Sequence, residues 1–229
     1  MTAENYPTLG VRFEVPNKHL APLKAKGNNP KIKKFHADGE YVKTHCFCYA
    51  GEVMAYICGP YFLIGGRADA SRPTPFTNVN LLYKSNTVET TQMMMETLRN
   101  TANRFPNNVL GQDIKSFLGL SKDANTVAPY CRGEISANLA EFYPAKILEA
   151  LRDFADHLIS CGYIDITGGL AHEPSAEWIN SNIKVTPSGE SSLNNLYFVG
   201  DASGKTQGIV AAAVMGVRAA NEIALRERL

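Results

Sequence analysis

The stretch that most constrains this fold is the C-terminal one, Asn195 to Ile223. A short apolar run, Leu196 to Val199, stops at Gly200-Asp201. A turn of small residues carries Gly204 and Gly208, and an Ala- and Gly-rich segment follows from Ile209. Strand, glycine turn and helix is how α/β proteins hold a nucleotide, because a helix N-terminus presents unpaired N–H groups and a partial positive charge. A helix with so few bulky residues predicts close packing against a sheet. Such an element ordinarily opens a nucleotide fold, and here it comes last.

A chain of 229 residues suits one large domain or two small ones. Its 45% hydrophobic and 20% charged content is ordinary for a soluble globular protein. A net charge of +1 gives no basic surface for nucleic acid or an anionic membrane, so neither is expected as a partner. No apolar run is long enough to span a bilayer, and Met1 to Pro7 lacks the charged and apolar regions of a signal peptide. Five cysteines, an odd count, read as free thiols in a reducing compartment, which predicts a cytoplasmic protein.

Gly10 to Val15 alternates apolar and charged residues and ends at Pro16, the pattern of an edge strand. Residues 17–40 read as a loop with one short helix. Tyr41 to Tyr49, Glu52 to Cys58 and Tyr61 to Ile64 predict a three-stranded meander, and Phe76 to Lys84 a further strand. Thr90 or Thr91 caps a helix that runs to Phe105, with Met94, Leu98 and Ala102 on one face. Asp113 caps a short helix closed by Gly119. Pro144 to Cys161 is a helix whose apolar stripe includes Ile147, Leu151, Phe154 and Leu158, a face for core packing. Residues 163–182 are mixed, and Ile183 to Thr186 reads as a short strand. Strands first, helices next and a nucleotide-type element last predicts an α+β / α/β protein. An antiparallel β-rich inserted domain with helices, residues 1–175, precedes the closing strand and helix of a Rossmann-like domain, residues 176–229.

Gly200-Asp-Ala-Ser-Gly-Lys-Thr206 is one residue short of the phosphate-binding loop G-x-x-x-x-G-K-[ST], because Val199 stands where the first glycine is required. An ATP site at Gly204-Lys205-Thr206 is therefore the lesser alternative. The same segment suits a flavin. Asp201 can bind a ribityl or ribose hydroxyl, Gly208 admits close approach, and the N–H groups of Ile209 and Val210 face an anionic or carbonyl oxygen. That last interaction is worth about 0.3–1 kcal/mol when exposed. An ordinary strand, turn and helix packed by small residues fits the spacing equally well.

Leu196 to Gly204 followed by Gly208 to Ala220 resembles the C-terminal FAD-binding segment of two-dinucleotide-domain flavoproteins. More narrowly, the chain resembles the C-terminal part of a little-characterised bacterial and archaeal family of FAD-dependent dehydrogenases. Gly10-Val-Arg-Phe-Glu-Val-Pro16 is similar to that family's first strand after its dinucleotide-binding region. His45-Cys-Phe-Cys48 with Gly51-Glu-Val53 is similar to its Cys-x-Cys-Pro-x-Gly-x-Val signature, with Tyr49 in place of the proline. Lys205, Thr206 and Gln207 replace the small or aromatic residues usual before the glycine. The resemblance implies an FAD-dependent oxidoreductase acting on a small molecule. Gly200, Asp201, Ala202 and Gly204 would lie on the ribityl side, and Gly208, Ile209 and Val210 at the flavin ring. It also implies an N-terminal half with G-x-G-x-x-G for the pyrophosphate, and no such motif occurs in this chain. That half is an expected partner, in the same or a separate chain. A fold that kept this architecture as a scaffold without flavin is the alternative from another class.

Cys46 and Cys48 should share one face of a strand, where a disulfide forms poorly. Together with His172, which precedes Glu173-Pro174, they are the candidate catalytic residues. Their other reading is buried structural thiols and a surface histidine. His36 or His45 could join the cysteines on zinc, but no second pair has ligand spacing, and no metal is expected. Arg67, Asp69 and Arg72 read as a solvated loop able to meet substrate or a phosphate.

Overall fold

A computed structural model describes residues 7–121, 134–177, 183–206 and 208–227. The chain forms two compact units, Pro7–Glu177 on the one hand and Met1–Tyr6 with Trp178–Leu229 on the other. It is a mixed α+β protein built on a seven-stranded sheet, and no described helix is long and apolar enough to cross a membrane.

In the larger unit the first strand, β1 (Thr8–Pro16), decides the architecture. Leu9, Val11, Phe13 and Val15 are buried on one face, and Arg12 and Glu14 are buried on the other. A strand covered on both faces belongs inside a sheet. Accordingly β1 is central, not the edge that its alternation suggested, and pairs antiparallel with β6 (Phe76–Lys84) and β9 (Leu170–Glu177). The polar residues alternate inward toward other polar groups, which the alternation alone reads as solvent.

The segment 17–40 holds a 3₁₀ turn at Asn17–Leu20, a one-turn helix α1 (Ala21–Lys24) and a short strand β2 (Lys33–Phe35). Strand β3 (Tyr41–Cys48) lies between β2 and β6. The expected meander does not form. Strands β4 (Glu52–Cys58) and β5 (Tyr61–Arg67) make a separate hairpin. Strand β7 (Val109–Asp113) pairs antiparallel with β9 and parallel with β8 (Glu134–Ser136). The sheet order is β2-β3-β6-β1-β9-β7-β8. Strands β7 and β9 carry no clean alternation because both faces are covered, and sequence pattern missed them.

Helix α2 (Val88–Arg104) begins at Thr87, whose side chain accepts from the Thr90 N–H at 3.2 Å; the cap sits three residues before the expected Thr90. Asp113 caps α3 (Ile114–Phe117) as expected, accepting from the N–H groups of Lys115 (2.8 Å) and Ser116 (3.2 Å). Helix α4 (Ala145–Ser160) buries Ile147, Ala150, Leu151, Phe154, Ala155 and Leu158 and packs on β3 and β6. Phe117 meets Phe13 and Tyr143 edge-on, with ring centroids 6.0 and 6.3 Å apart. Lys146 ties α4 to the loop before β3, pairing with Asp38 at 2.9 Å and with the buried Glu40, which also accepts from Tyr83 and Ser85.

In the smaller unit, Ile183 to Thr186 is irregular, and Leu196 to Val199 contributes only an isolated bridge between Tyr197 and Glu190. Neither expected strand forms: Leu196 to Phe198 pairs only briefly with Gly189 to Ser191, the Phe198 N–H donating to the Gly189 carbonyl at 2.8 Å and the Ser191 N–H to the Leu196 carbonyl at 2.8 Å. Gly200–Ser203 is a 3₁₀ turn, and α5 (Ile209–Arg226) follows. The small face of α5 packs on that turn: a Cβ at Gly200 would stand 3.1 Å from the Ala212 methyl group. Arg226 closes the unit through a bidentate pair with Glu190 at 2.7 and 2.6 Å.

The closest approach inside the sheet is at Gly10, where an added Cβ would stand 1.9 Å from the Leu81 carbonyl oxygen, a backbone atom held on both sides by pairing. Gly10→Ala is expected to lower unfolding free energy by about 3 kcal/mol in a urea titration followed by circular dichroism. A midpoint within error of wild type would show that the β1–β6 spacing is looser than described.

Candidate functional site

The face of the sheet turned away from α4 is polar. Arg12 and Glu14 of β1, Asn78 and Asn80 of β6, and His172 and Ser175 of β9 are all buried there. The β4–β5 hairpin covers them: β5 packs on β3, β7 and β9, and the Ser175 hydroxyl donates to the Ile64 carbonyl at 3.4 Å. Gly66 lets the hairpin backbone settle on this face. A Cβ there would lie 2.0 Å from Arg12 Nη1 and 2.5 Å from Asn78 Oδ1.

Arg12 is the centre of the group and is almost fully buried. Its Nη1 donates to Asn78 Oδ1 and to the Cys46 carbonyl at 3.2 Å. Burial pulls its pKa below the ordinary guanidinium value, opposed by Cys48 and Cys46 beside it. Cys46 itself adopts φ 45°, a left-handed conformation that is uncommon for a residue with a Cβ. The β3–β6 register shifts between His45 and Cys48 at the same place. The strand is therefore bulged rather than regular between His45 and Cys48, and both Cys46 and Cys48 lie beside the Arg12 guanidinium. The bulge aims the Cys46 carbonyl at Arg12 and leaves the Cys46 side chain half-buried beside His45. All four described cysteines, Cys46, Cys48, Cys58 and Cys161, are free thiols.

Three groups converge at the mouth of this face. His45 Nδ1 stands 2.5 Å from Glu177 Oε1, while Lys43 Nζ reaches Glu177 Oε2 at 3.5 Å. A ring nitrogen of His45, the Cys46 sulfur and a Glu177 oxygen all lie within 4.8 Å of one another. Strands β3 and β9 are separated by β6 and β1, about 14 Å along a flat sheet. The side chains of His45 and Glu177 nevertheless meet. Burial opposes each charge here but is outweighed. The His45 ring is raised by Cys46 and Glu177, the Cys46 thiol is lowered by His45 and Arg12, and the Glu177 carboxyl is lowered by His45 and Lys43. Burial instead wins at Cys48, whose thiol is raised despite Arg12. Glu177 is the residue that sequence reading missed, because no spacing rule links the end of β9 to β3.

His172 is not on the surface. It is fully buried, with Nε2 3.5 Å from Glu14 Oε2. Its neighbour Glu173 points to the other side of the sheet, beside Tyr143, whose hydroxyl donates to the Gly10 carbonyl at 2.7 Å. Burial pushes the Glu173 carboxyl up to about 8, with only Tyr143 opposing the rise. Arg67 ends β5 instead of lying in the expected loop, and Asp69 and Arg72 follow in that loop, with Arg67 pairing with Asp69 at 3.2 Å and Glu52 at 3.7 Å. A cavity of about 160 Å³ opens between the hairpin tip, Gly59-Pro60, and Leu98, Thr101 and Phe105 of α2 and its end. It is smaller than the roughly 300–1,000 Å³ of a typical ligand pocket.

The smaller unit holds the other expected site. Gly200 is buried at φ 65°, Asp201 is exposed, and Ala202 lies within the 3₁₀ turn. Gly204 ends the turn at φ 69°, and its N–H donates to the Asp201 carbonyl at 3.0 Å. The Lys205 N–H donates to Ser203 Oγ at 3.1 Å. These two N–H groups are used within the turn, whereas a phosphate-binding loop aims them at its ligand. Gly208, at φ 102°, begins α5 with no side-chain cap, and Ile209 and Val210 are 89% and 78% exposed. Gln207 lies outside the described residues.

No protein-family model matches this chain, and no curated protein matches it.

The Glu173 environment has a pH signature. With its folded pKa raised to about 8, the native state keeps a proton that the unfolded chain releases near 4.5. Its contribution is therefore fully present below about pH 4.5 and is lost as pH rises through about 8. Glu173→Gln should raise the melting temperature, and the gain should grow between pH 5 and pH 8, read by thermal denaturation across that range. A gain independent of pH would mean that Glu173 is ionised in the native protein.

Proposed function

We propose that this chain is the C-terminal portion of an FAD-dependent oxidoreductase, a dehydrogenase of the two-dinucleotide-domain type. The β-rich unit is the inserted substrate-side domain, and the C-terminal unit is the closing part of a Rossmann-like FAD domain. The observation that carries this reading is the start of α5. Gly208 leads into an 18-residue helix without a side-chain cap, and the residues that follow are open to solvent. Such a start leaves orphan N–H groups and a partial positive charge for an external oxygen, and the carbonyl edge of a flavin fits that need. Gly200, Asp201, Ala202 and Gly204 would lie along the ribityl chain, where the exposed Asp201 carboxylate can accept from a hydroxyl. A bound flavin supplies hydride transfer at its N5.

Two further features support the reading. Among the described residues the run Leu196 to Val199 pairs only briefly, at Gly189 to Ser191, and α5 keeps Val210, Val214 and Val217 exposed. Both would be completed by an N-terminal half that carries G-x-G-x-x-G and holds the pyrophosphate. The substrate is a small molecule whose class the residues do not specify. The internal hydrogen bonds of Gly204 and Lys205 weigh against the ATP alternative.

The full-length natural product should show flavin absorption bands as purified or after reconstitution with FAD. Their absence would leave the scaffold reading. Gly208→Val in that protein should lower FAD affinity about tenfold, since a β-branched residue at φ 102° distorts the turn that positions the helix. The 229-residue chain alone should bind FAD more weakly than micromolar and show no turnover. Tight binding by the isolated chain would refute the division of the cofactor site between two halves.

A further inference from the structure

We propose that His45, Cys46 and Glu177 form a zinc site on the β-rich unit, with one coordination position left to solvent. The argument starts from donor chemistry. One imidazole, one thiolate and one carboxylate are donors that Zn²⁺ accepts together, and three protein ligands with an open fourth position is an established zinc geometry. The ligand atoms already lie within 4.8 Å of one another. Metal–ligand distances of about 2.0–2.3 Å place tetrahedral donors about 3.3–3.7 Å apart, so the site needs adjustment rather than assembly. The His45–Glu177 contact at 2.5 Å must open by about 1 Å to admit the ion.

The second argument is backbone geometry. In a regular strand, His45 and Cys46 would face opposite sides of the sheet. They converge because Cys46 takes a left-handed φ of 45° at the β3 register shift. Strain of this kind persists where the surroundings over-determine it, and here Arg12 holds the Cys46 carbonyl at 3.2 Å. Glu177 is positioned in turn by Lys43 on its second oxygen at 3.5 Å and by Thr8, whose hydroxyl donates to the Glu177 carbonyl at 3.2 Å. Groups that orient ligands in this way are the usual outer layer of a metal site. Charge also balances, since a thiolate, a carboxylate and a neutral imidazole together neutralise a divalent ion. The His45 and Glu177 side chains retain 21% and 24% exposure, enough for an ion to enter and for water to take the fourth position.

This site does not depend on the flavin reading and can be tested in the chain as it stands. Cobalt(II) titrated into metal-free protein should bind one equivalent and give a thiolate-to-cobalt charge-transfer band with the visible bands of a tetrahedral ion. Cys46→Ser should remove the charge-transfer band. His45→Gln and Glu177→Gln should each weaken zinc at least about tenfold in competition with a chromophoric chelator. Cys161→Ala, at an exposed cysteine outside the cluster, should change neither. Circular dichroism melting of each variant before titration selects the folded ones for comparison. A cobalt spectrum of the wild-type chain without the charge-transfer band overturns the proposal. So do folded Cys46 and Glu177 variants that hold zinc as tightly as wild type.

Discussion

The β-rich unit is organised around one buried cation. Arg12 sits in the middle of the central strand, on the face opposite the hydrophobic core, and is shut off from water by the β4–β5 hairpin. A charge in that position is tolerated only with close acceptors, since its desolvation costs several kcal/mol. Those acceptors are Asn78 Oδ1 and the carbonyl of Cys46. The left-handed Cys46, the β3 register shift and the bare backbone at Gly66 all follow from meeting this guanidinium at short range. The arrangement also biases chemistry, because a positive charge beside two thiols favours thiolate at the more solvated one, Cys46, while burial keeps Cys48 protonated.

The two faces of the sheet thus do different work. On one, Val11, Phe13, Leu81 and the stripe of α4 exclude water and supply most of the apolar burial. On the other, side chains meet from strands that are not neighbours, as in the His45–Cys46–Glu177 cluster. Under the proposed function, the polar face beneath the β4–β5 hairpin is the surface that would meet substrate. It is equally a place where a metal would be held independently of it. The smaller unit contributes a different device, an open helix start behind a glycine turn.

Local signals were legible where a single element determines the outcome. The helix from Pro144 and the Asp113 cap were readable because an apolar stripe and a capping carboxylate act within one or two turns. Strands β7 and β9 were not, because a strand buried on both faces loses the alternation by which strands are recognised. The Thr87 cap was displaced from the expected Thr90 because Thr90 and Thr91 are themselves buried in the first turn. The runs at residues 183–186 and 196–199 had strand composition, yet composition cannot supply the extended pairing that makes a strand, and the second run gains only a single bridge.

The sequence by itself determined the mixed α+β class, the main amphipathic helix and the glycine turn before α5, all of which depend on residues close in the chain. Tertiary structure alone decided that β1 is central, that His172 is buried against Glu14, and that Glu177 meets His45 and Cys46. Each of these depends on the order of the strands and on which face of the sheet is covered. Those quantities are set by packing among distant strands, and periodicity along one strand carries no record of them.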